Sequence, residues 1–157
     1  MRRAAFLIPL IAVAVAGCGN SNDAGHTPDP CLSGPVYFKA ALKSAPDQVR
    51  LPGNTPISAC LVSNQSAGDL SNVGDYLVKV ATNLNAQARR DPGGAATVQV
   101  GYLVGAATRG ASETAGIHDE LVRRLEAAAL YSPAGKPPPQ PFDHQYETGY
   151  AAGKEHG

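Results

Sequence analysis

The side chains best suited to chemistry in this sequence are three cysteines and one run of adjacent titratable residues, His118-Asp119-Glu120. A histidine beside two carboxylates could transfer a proton or bind a metal ion. Adjacent residues of a helix point in different directions, however, so these three side chains cannot converge on one atom. We therefore expect His118 to lie at the edge of an apolar helix stripe, near Val122, with no role as a ligand or base.

The sequence lacks the standard catalytic motifs. It has no G-x-S-x-G, H-E-x-x-H or P-loop pattern, no dinucleotide-binding glycine pattern and no S-x-x-K motif. His144 and His156, with Asp143 and Glu147, could form a weak metal site, but a solvated helix face is the simpler interpretation. The sequence therefore predicts no enzyme, no cofactor and no metal site.

The N-terminus has the pattern of an export signal. Met1-Arg2-Arg3 is a short basic start, and 13 uncharged residues follow from Ala4 to Ala16. A helix needs about 20 apolar residues to cross a bilayer. The run is therefore too short to be a membrane span, and its length and flanks are typical of a secretory signal.

The residues that follow, Val15-Ala16-Gly17-Cys18, resemble the lipobox of bacterial lipoprotein precursors. The resemblance implies that a diacylglyceryl group is transferred to the Cys18 thiol and that the chain is cleaved between Gly17 and Cys18. It also implies a location at the outer face of the cytoplasmic membrane, with the membrane as a partner through the lipid anchor. The alternative is ordinary secretion with cleavage after Ala16, because Ala14-Val15-Ala16 is an A-x-A site.

Three cysteines in an exported chain leave one without a partner. Lipidation of Cys18 removes the odd one, so Cys31 and Cys60 remain as a natural pair. Their spacing is not C-x-x-C and no Cys/His cluster accompanies them, which disfavours redox catalysis and a zinc site. A disulfide between them would close a loop of about 30 residues and stabilise the fold by about 3–4 kcal/mol. The alternative is two free, buried thiols.

The composition predicts one small folded unit. Removal of a 17-residue leader from the 157 residues leaves 140, which is enough for one hydrophobic core. The formal net charge is zero for the whole chain and −2 without Arg2 and Arg3. Because nothing in this balance suggests a basic patch, nucleic acid is not an expected partner.

The chain divides into five parts. Residues 1–17 form the signal peptide, and residues 18–30 are the lipidated cysteine and a flexible tether. Residues 31–131 form a helical domain, 132–141 a Pro-rich spacer, and 142–157 a C-terminal aromatic helix or tail. The expected fold class is all-α, a small bundle of about four helices with one disulfide on a flexible N-terminal tether.

Two segments have clear helical signals. Ser66 to Arg90 begins with a capping-box pattern in which Asp69 replaces the usual glutamate, and its apolar residues recur at helical spacing. Ser112 to Tyr131 predicts the last core helix. The buried stripe expected on that helix consists of Ile117, Leu121, Leu125 and Ala128.

Ala95 to Thr108 is more ambiguous. The segment is apolar nearly all round, and residues 97–104 alternate somewhat like a strand. We favour a helix because a lone strand would have no partner, and such a helix must be central. Gly101 and Gly105 would then lie one turn apart and permit close approach of another backbone.

The segment from Cys31 to Asn64 has mixed signals. Pro35 favours a short helix that ends before Pro46. Thr55-Pro56 resembles a helix start ahead of residues 57–63. A small β-hairpin around Pro52-Gly53-Asn54 is the alternative.

In the C-terminal segment, Phe142, Tyr146 and Tyr150 recur at intervals of four, and Gly149 and Gly153 lie beside them. On a helix the three rings would share one face. Three interpretations stay open: a helix that docks on its own domain, a partner-binding peptide, and a disordered tail.

The part after the leader resembles small uncharacterised lipoproteins of high-GC Gram-positive bacteria. The resemblance rests on Cys31 and Cys60, the Asp91-Pro92-Gly93-Gly94 break, the Gly101–Gly105 run and Gly149-Tyr150. It implies a location at the cell envelope and no mechanism.

The leading functional hypothesis is a non-catalytic binding or scaffolding role, with a possible envelope protein partner. The alternative is a lipoprotein that binds a small ligand or a metal in a pocket around Tyr76, Tyr102 and Tyr131. An envelope enzyme is the least favoured hypothesis.

Overall fold

The computed structural model describes residues 25–132, 135 and 137–157. In this part of the chain β-structure is limited to two isolated bridges, and the remaining regular structure is helical. Its α-helices are α1 (Asp29–Leu32), α2 (Pro35–Ala41), α3 (Ala67–Ala88), α4 (Ala95–Ser112), α5 (Asp119–Ala129) and α6 (Gln140–His156). Short 3-10 turns lie between α2 and α3, at Leu42–Ser44, Pro52–Asn54 and Ile57–Cys60. The predicted all-α bundle is confirmed.

Helix α3 begins at the predicted cap. Ser66 Oγ accepts a hydrogen bond from the Asp69 backbone N–H at 3.1 Å, which satisfies one free amide of the first turn. The apolar face of the helix, including Leu77 and Leu84, is buried against α4 and α5. The helix predicted for this segment is confirmed, and its regularly spaced apolar residues form the buried face.

Helix α4 is the central helix of the domain. Most of its residues are buried, and it contacts α3, α5, α6 and the Ile57–Cys60 turn. The strand alternative for residues 97–104 is therefore wrong, and the favoured helix is confirmed. Tyr102, fully buried in this helix, accepts a hydrogen bond from the Val49 backbone N–H at 3.2 Å.

Helix α6 packs against α4 through glycines. A Cβ atom placed on Gly149 would overlap the Val98 carbonyl oxygen, and one placed on Gly105 would overlap the Tyr150 carbonyl oxygen. Only glycine lets two helix backbones approach this closely. Gly101 and Gly153 make equivalent contacts, and these contacts advance in the same direction along both helices, so α4 and α6 are parallel.

This packing decides between the three interpretations of the C-terminal segment. Residues 140–156 form a helix that docks on its own domain, as one of the interpretations predicted. The helix begins at Gln140, so the last two residues of the predicted 132–141 spacer belong to its first turn. The expected role of Gly101 and Gly105 in close packing is confirmed.

The C-terminal end of α6 is bound by two arginines from other parts of the domain. Arg50 donates to the His156 carbonyl oxygen at 2.8 Å, and Arg109 donates to the Glu155 carbonyl oxygen. Carbonyl groups in the last turn have no partner inside the helix, and positive charge there is favourable with the helix dipole. These hydrogen bonds hold the C-terminal end of α6, which follows Gly149 and Gly153, against the domain.

The N-terminal tether predicted over residues 18–30 extends too far into the folded domain. The Gly25 backbone N–H donates to the Asn64 carbonyl oxygen at 3.0 Å, and Thr27 is buried. Cys31 and Cys60 form the expected disulfide, with their Cα atoms 5.5 Å apart, and it joins α1 to the Ile57–Cys60 turn. Residues 25–30 therefore pack on the domain because backbone pairing and a buried threonine fix them beside this disulfide.

Helix α5 begins at Asp119, not at Ser112 as predicted. Ala115 and Gly116 have positive φ angles of 52° and 88°, which end helical geometry between the two helices. Ile117 consequently lies in the turn, is 38% exposed, and does not belong to the buried stripe. The other predicted positions are buried at Leu121 and Leu125 and partly buried at Ala128.

The segment before α3 contains parts of both predicted alternatives. The expected helix over residues 57–63 is reduced to the Ile57–Cys60 turn. The hairpin alternative is reduced to one antiparallel bridge between Leu51 and Thr55, with N···O distances of 2.8 and 3.3 Å. The short helix predicted to start at Pro35 is confirmed as α2.

Substitution of Gly149 with alanine tests the α4–α6 contact. Because the new methyl group would overlap the Val98 carbonyl oxygen, we expect Gly149→Ala to lower the free energy of unfolding by at least about 1–3 kcal/mol. Urea denaturation followed by circular dichroism measures this change. Gly68→Ala is the matched control, since its Cβ atom would meet nothing closer than Ser66 Oγ at 4.0 Å. Equal stability of the two variants would contradict the packing described here.

Candidate functional site

A concave surface lies between α5 and α6. We call it the α5–α6 groove: its walls are the C-terminal end of α5, the residues around Tyr131 and the first half of α6, and Pro137 and Pro138 border it. Its volume is about 700 Å³. The groove exists because the glycine contacts hold α6 against α4, beside α5.

An aromatic row lines the groove. Phe142 and Tyr146 have ring centroids 5.8 Å apart and nearly parallel planes, and Tyr146 and Tyr150 repeat the arrangement at 6.2 Å. Tyr131 contacts the start of the row, with its centroid 4.8 Å from that of Phe142 and its plane tilted by 60°. These separations lie within the range of favourable aromatic pairs. The residues predicted as a weak partner-binding face, Phe142, Tyr146 and Tyr150, therefore form one wall of the groove.

The charged side chains that the structure describes along the groove are acidic. Glu126 of α5 and Asp143 and Glu147 of α6 line it, and no lysine, arginine or histidine does so among the described residues. Burial raises the pKa of the Tyr146 hydroxyl, and the nearby Tyr150, Glu126 and Glu147 raise it further. Tyr146 therefore stays a neutral phenol beside a negative electrostatic potential.

Helix α3 holds the α5 side of the groove in place. Asn85 Nδ2 donates to the carbonyl oxygens of Ala128 and Leu130, both at 2.8 Å, and Arg89 donates to the Leu130 oxygen at 2.9 Å. These bonds satisfy carbonyls at the C-terminal end of α5, just before Tyr131. Asn85 Oδ1 is buried and has no hydrogen-bond partner in the described structure.

His118 belongs to a separate buried network. Its Nε2 lies 2.7 Å from Gln65 Oε1, and its Nδ1 lies 2.9 Å from Thr114 Oγ1. Gln65 Nε2 in turn donates to Thr27 Oγ1 at 2.8 Å and to the Cys60 carbonyl oxygen at 3.0 Å. Because Gln65 Oε1 can only accept, Nε2 of His118 carries a hydrogen. The Thr114 hydroxyl has a single hydrogen and lies within hydrogen-bond distance of both His118 Nδ1 and the Ala111 carbonyl oxygen, which is 2.7 Å away.

The network corrects the prediction for His118. The side chain is fully buried, not at the edge of a stripe, and burial lowers its pKa. Asp119 and Glu120 are exposed in the first turn of α5, so the three adjacent residues do not converge. The network joins the N-terminal segment, the disulfide-bonded turn and the start of α5, which is a structural role. The sequence contained no signal for it, since Gln65 and Thr27 are far from His118 along the chain.

The pocket predicted around three tyrosines is only partly realised. Tyr131 lines the α5–α6 groove, whereas Tyr102 is enclosed in the core and Tyr76 packs partly buried against it. Gly17 and Cys18, the predicted cleavage and lipidation positions, lie outside the described residues.

The described residues hold no group of three or more His, Cys, Asp or Glu side chains placed to bind a metal ion. None of their helices combines the length and the hydropathy required to span a membrane. Comparison of the chain with family models, with curated proteins and with solved structures finds no match.

The buried histidine predicts a specific dependence of stability on pH. The unfolded chain binds a proton at the usual histidine pKa of about 6.5, whereas the folded chain binds it only at lower pH. The free energy of unfolding should therefore fall as the pH drops below about 6.5, by about 1.4 kcal/mol for each pH unit until the folded pKa is reached.

Urea denaturation at several pH values measures this slope. The series runs from about pH 7.5 to about pH 4.5, which brackets the usual histidine pKa of about 6.5. His118→Asn should remove this component of the slope while lowering stability at neutral pH. His144→Gln, which changes an exposed histidine of α6, is the matched control and should retain it. A slope unaffected by His118→Asn would contradict the assignment.

Proposed function

We propose that this chain is a lipid-anchored extracytoplasmic protein with a non-catalytic binding role, and that the α5–α6 groove is its binding site. The observation that carries the binding role is the groove itself. Ligand sites are typically concave, about 300–1,000 Å³ in volume, and lined by apolar and aromatic side chains with a few polar groups. The groove has a volume of about 700 Å³, a four-membered aromatic wall and three carboxylates.

The proposal keeps Phe142, Tyr146 and Tyr150 as binding residues but changes how they act. A free aromatic tail would bind a partner by folding onto it. Here α6 is already fastened to α4 by glycines and by Arg50 and Arg109. A ligand, or a projecting part of an envelope partner, therefore enters a preformed groove and does not have to order the helix.

The anchor is supported by the lipobox-like residues before and including Cys18. The Cys18 sulfur attacks the glyceryl carbon of a membrane phospholipid, the bond from that carbon to the phosphate oxygen breaks, and the phosphate headgroup leaves while the thiol loses its proton. Hydrolysis of the Gly17–Cys18 bond then frees the cysteine amine. Gly25, the first described residue, follows Cys18 by seven residues. An extended chain of that length spans at most about 25 Å. The anchor would therefore keep the domain, and its groove, close to the membrane surface.

Intact mass of the membrane-extracted protein tests the anchor. We expect loss of residues 1–17 and a mass increase equal to a diacylglyceryl group, with or without one further acyl chain. Cys18→Ser should abolish both changes because a hydroxyl does not form the thioether. The Cys31→Ser/Cys60→Ser double variant is the control: it should lose the disulfide and keep the lipid. A chain cleaved after Ala16 without lipid would show ordinary secretion.

Binding of a neutral apolar dye, 1-N-phenylnaphthylamine, tests the groove. Leu130 is 54% exposed and lines it, so Leu130→Gln should weaken dye binding about fivefold, as expected for the loss of part of one leucine contact. Ile117→Gln is the matched control, because Ile117 is also partly exposed and lies outside the groove. Dye fluorescence measures the affinity. Equal weakening by both variants would show that the dye does not report on the groove.

A further inference from the structure

We infer that the α5–α6 groove selects organic cations, molecules that carry an ammonium or guanidinium group on an apolar body. The inference rests on the proposed binding function of the groove and names the class of ligand.

The polar groups of the groove favour a hydrogen-bond donor with positive charge. Glu126, Asp143 and Glu147 can only accept hydrogen bonds when ionised. Tyr146 stays protonated for the reason given above, so it adds no competing charge. A ligand carboxylate or phosphate would meet three negative charges, whereas an ammonium group would be attracted by each of them.

The apolar part of the groove favours a ligand that has an apolar body over a simple inorganic ion. Phe142 is buried in the wall, and Tyr146 and Tyr150 are partly buried beside it. An inorganic cation would leave these rings without a contact and would lose its own hydration. An aryl or branched alkyl body covers the aromatic row, and its cation gains from the electrons of the rings and from the carboxylates at the rim.

The volume favours a small molecule over a larger partner. About 700 Å³ accommodates a single ligand of ordinary size. The three carboxylates lie on the exposed edge of the groove, so the charged end of the ligand can remain in contact with water while its body is buried. This arrangement avoids the high cost of burying an ion completely.

Three compounds with one apolar body test the inference: 4-phenylbutylammonium, 4-phenylbutan-1-ol and 5-phenylpentanoate. Titrations of the purified chain, followed by amide chemical shifts, locate and measure binding. At an ionic strength of about 20 mM we expect the ammonium compound to bind about tenfold more tightly than the alcohol, and the carboxylate most weakly. The preference should shrink at about 500 mM salt because the rim carboxylates are exposed to solvent.

Glu147→Gln should weaken binding of the ammonium compound about threefold and leave the alcohol unchanged, since the substitution removes one rim charge and little else. Glu155→Gln is the matched control on the same helix. Glu155 is also exposed and does not line the groove, so its substitution should change neither affinity.

Two results would overturn the inference. Equal affinity for the ammonium compound and the alcohol would show a groove that binds apolar molecules without regard to charge, and the proposed binding function would survive. Absence of groove shifts with all three compounds would refute the cation preference outright. In that case dye binding by the Leu130→Gln and Ile117→Gln variants decides separately whether the groove binds ligands at all.

Discussion

The close backbone contact between α4 and α6 is the constraint on which the rest of this domain depends. Glycine at Gly149 and Gly105 removes the side chains that would separate the helices, so each helix meets the other's carbonyl oxygens. The contact covers the otherwise apolar surface of α4, and it brings the last turn of α6 to Arg50 and Arg109. Stability and site geometry are therefore linked, because any change that separates these helices also displaces the α6 wall of the groove.

Helix α6 carries two stripes of residues, one of glycines and one of aromatic residues, with the same spacing. Glycines recur every four residues on one stripe and aromatic residues on the other, and neighbouring positions such as Gly149 and Tyr150 lie about 100° apart around the axis. One stripe docks on α4, and the other consequently faces α5 and Tyr131. The aromatic wall is thus a geometric result of glycine docking, which explains why an apparently spare tail carries a third of the aromatic residues.

Short-range sequence patterns correctly predicted those features of the fold that depend on residues close together in the chain. The cap at Ser66, the apolar period of α3 and the close-packing glycines of α4 each depend on residues within a few positions of one another, and each was confirmed. The start of α5 was missed because the composition of residues 112–117 is compatible with a helix, whereas positive φ angles at Ala115 and Gly116 end it. The groove and the His118 network were not predictable for a different reason. They join segments distant in sequence, and no periodic pattern records which helices become neighbours.

The helix dipole accounts for one of the three groove carboxylates and not for the other two. An acidic residue in the first turn is favourable with the helix dipole, and Asp143 occupies that turn. The dipole effect falls off within one turn, so it does not account for Glu147, and it has no bearing on Glu126, which lies on another helix. Both carboxylates line the groove and, after burial and Tyr150, they raise the pKa of Tyr146 further. Two carboxylates that line one groove from α5 and from α6 repel each other, and a cation bound between them would reduce that repulsion. Glu126 and Glu147 are therefore the two carboxylates that we propose attract a cationic ligand.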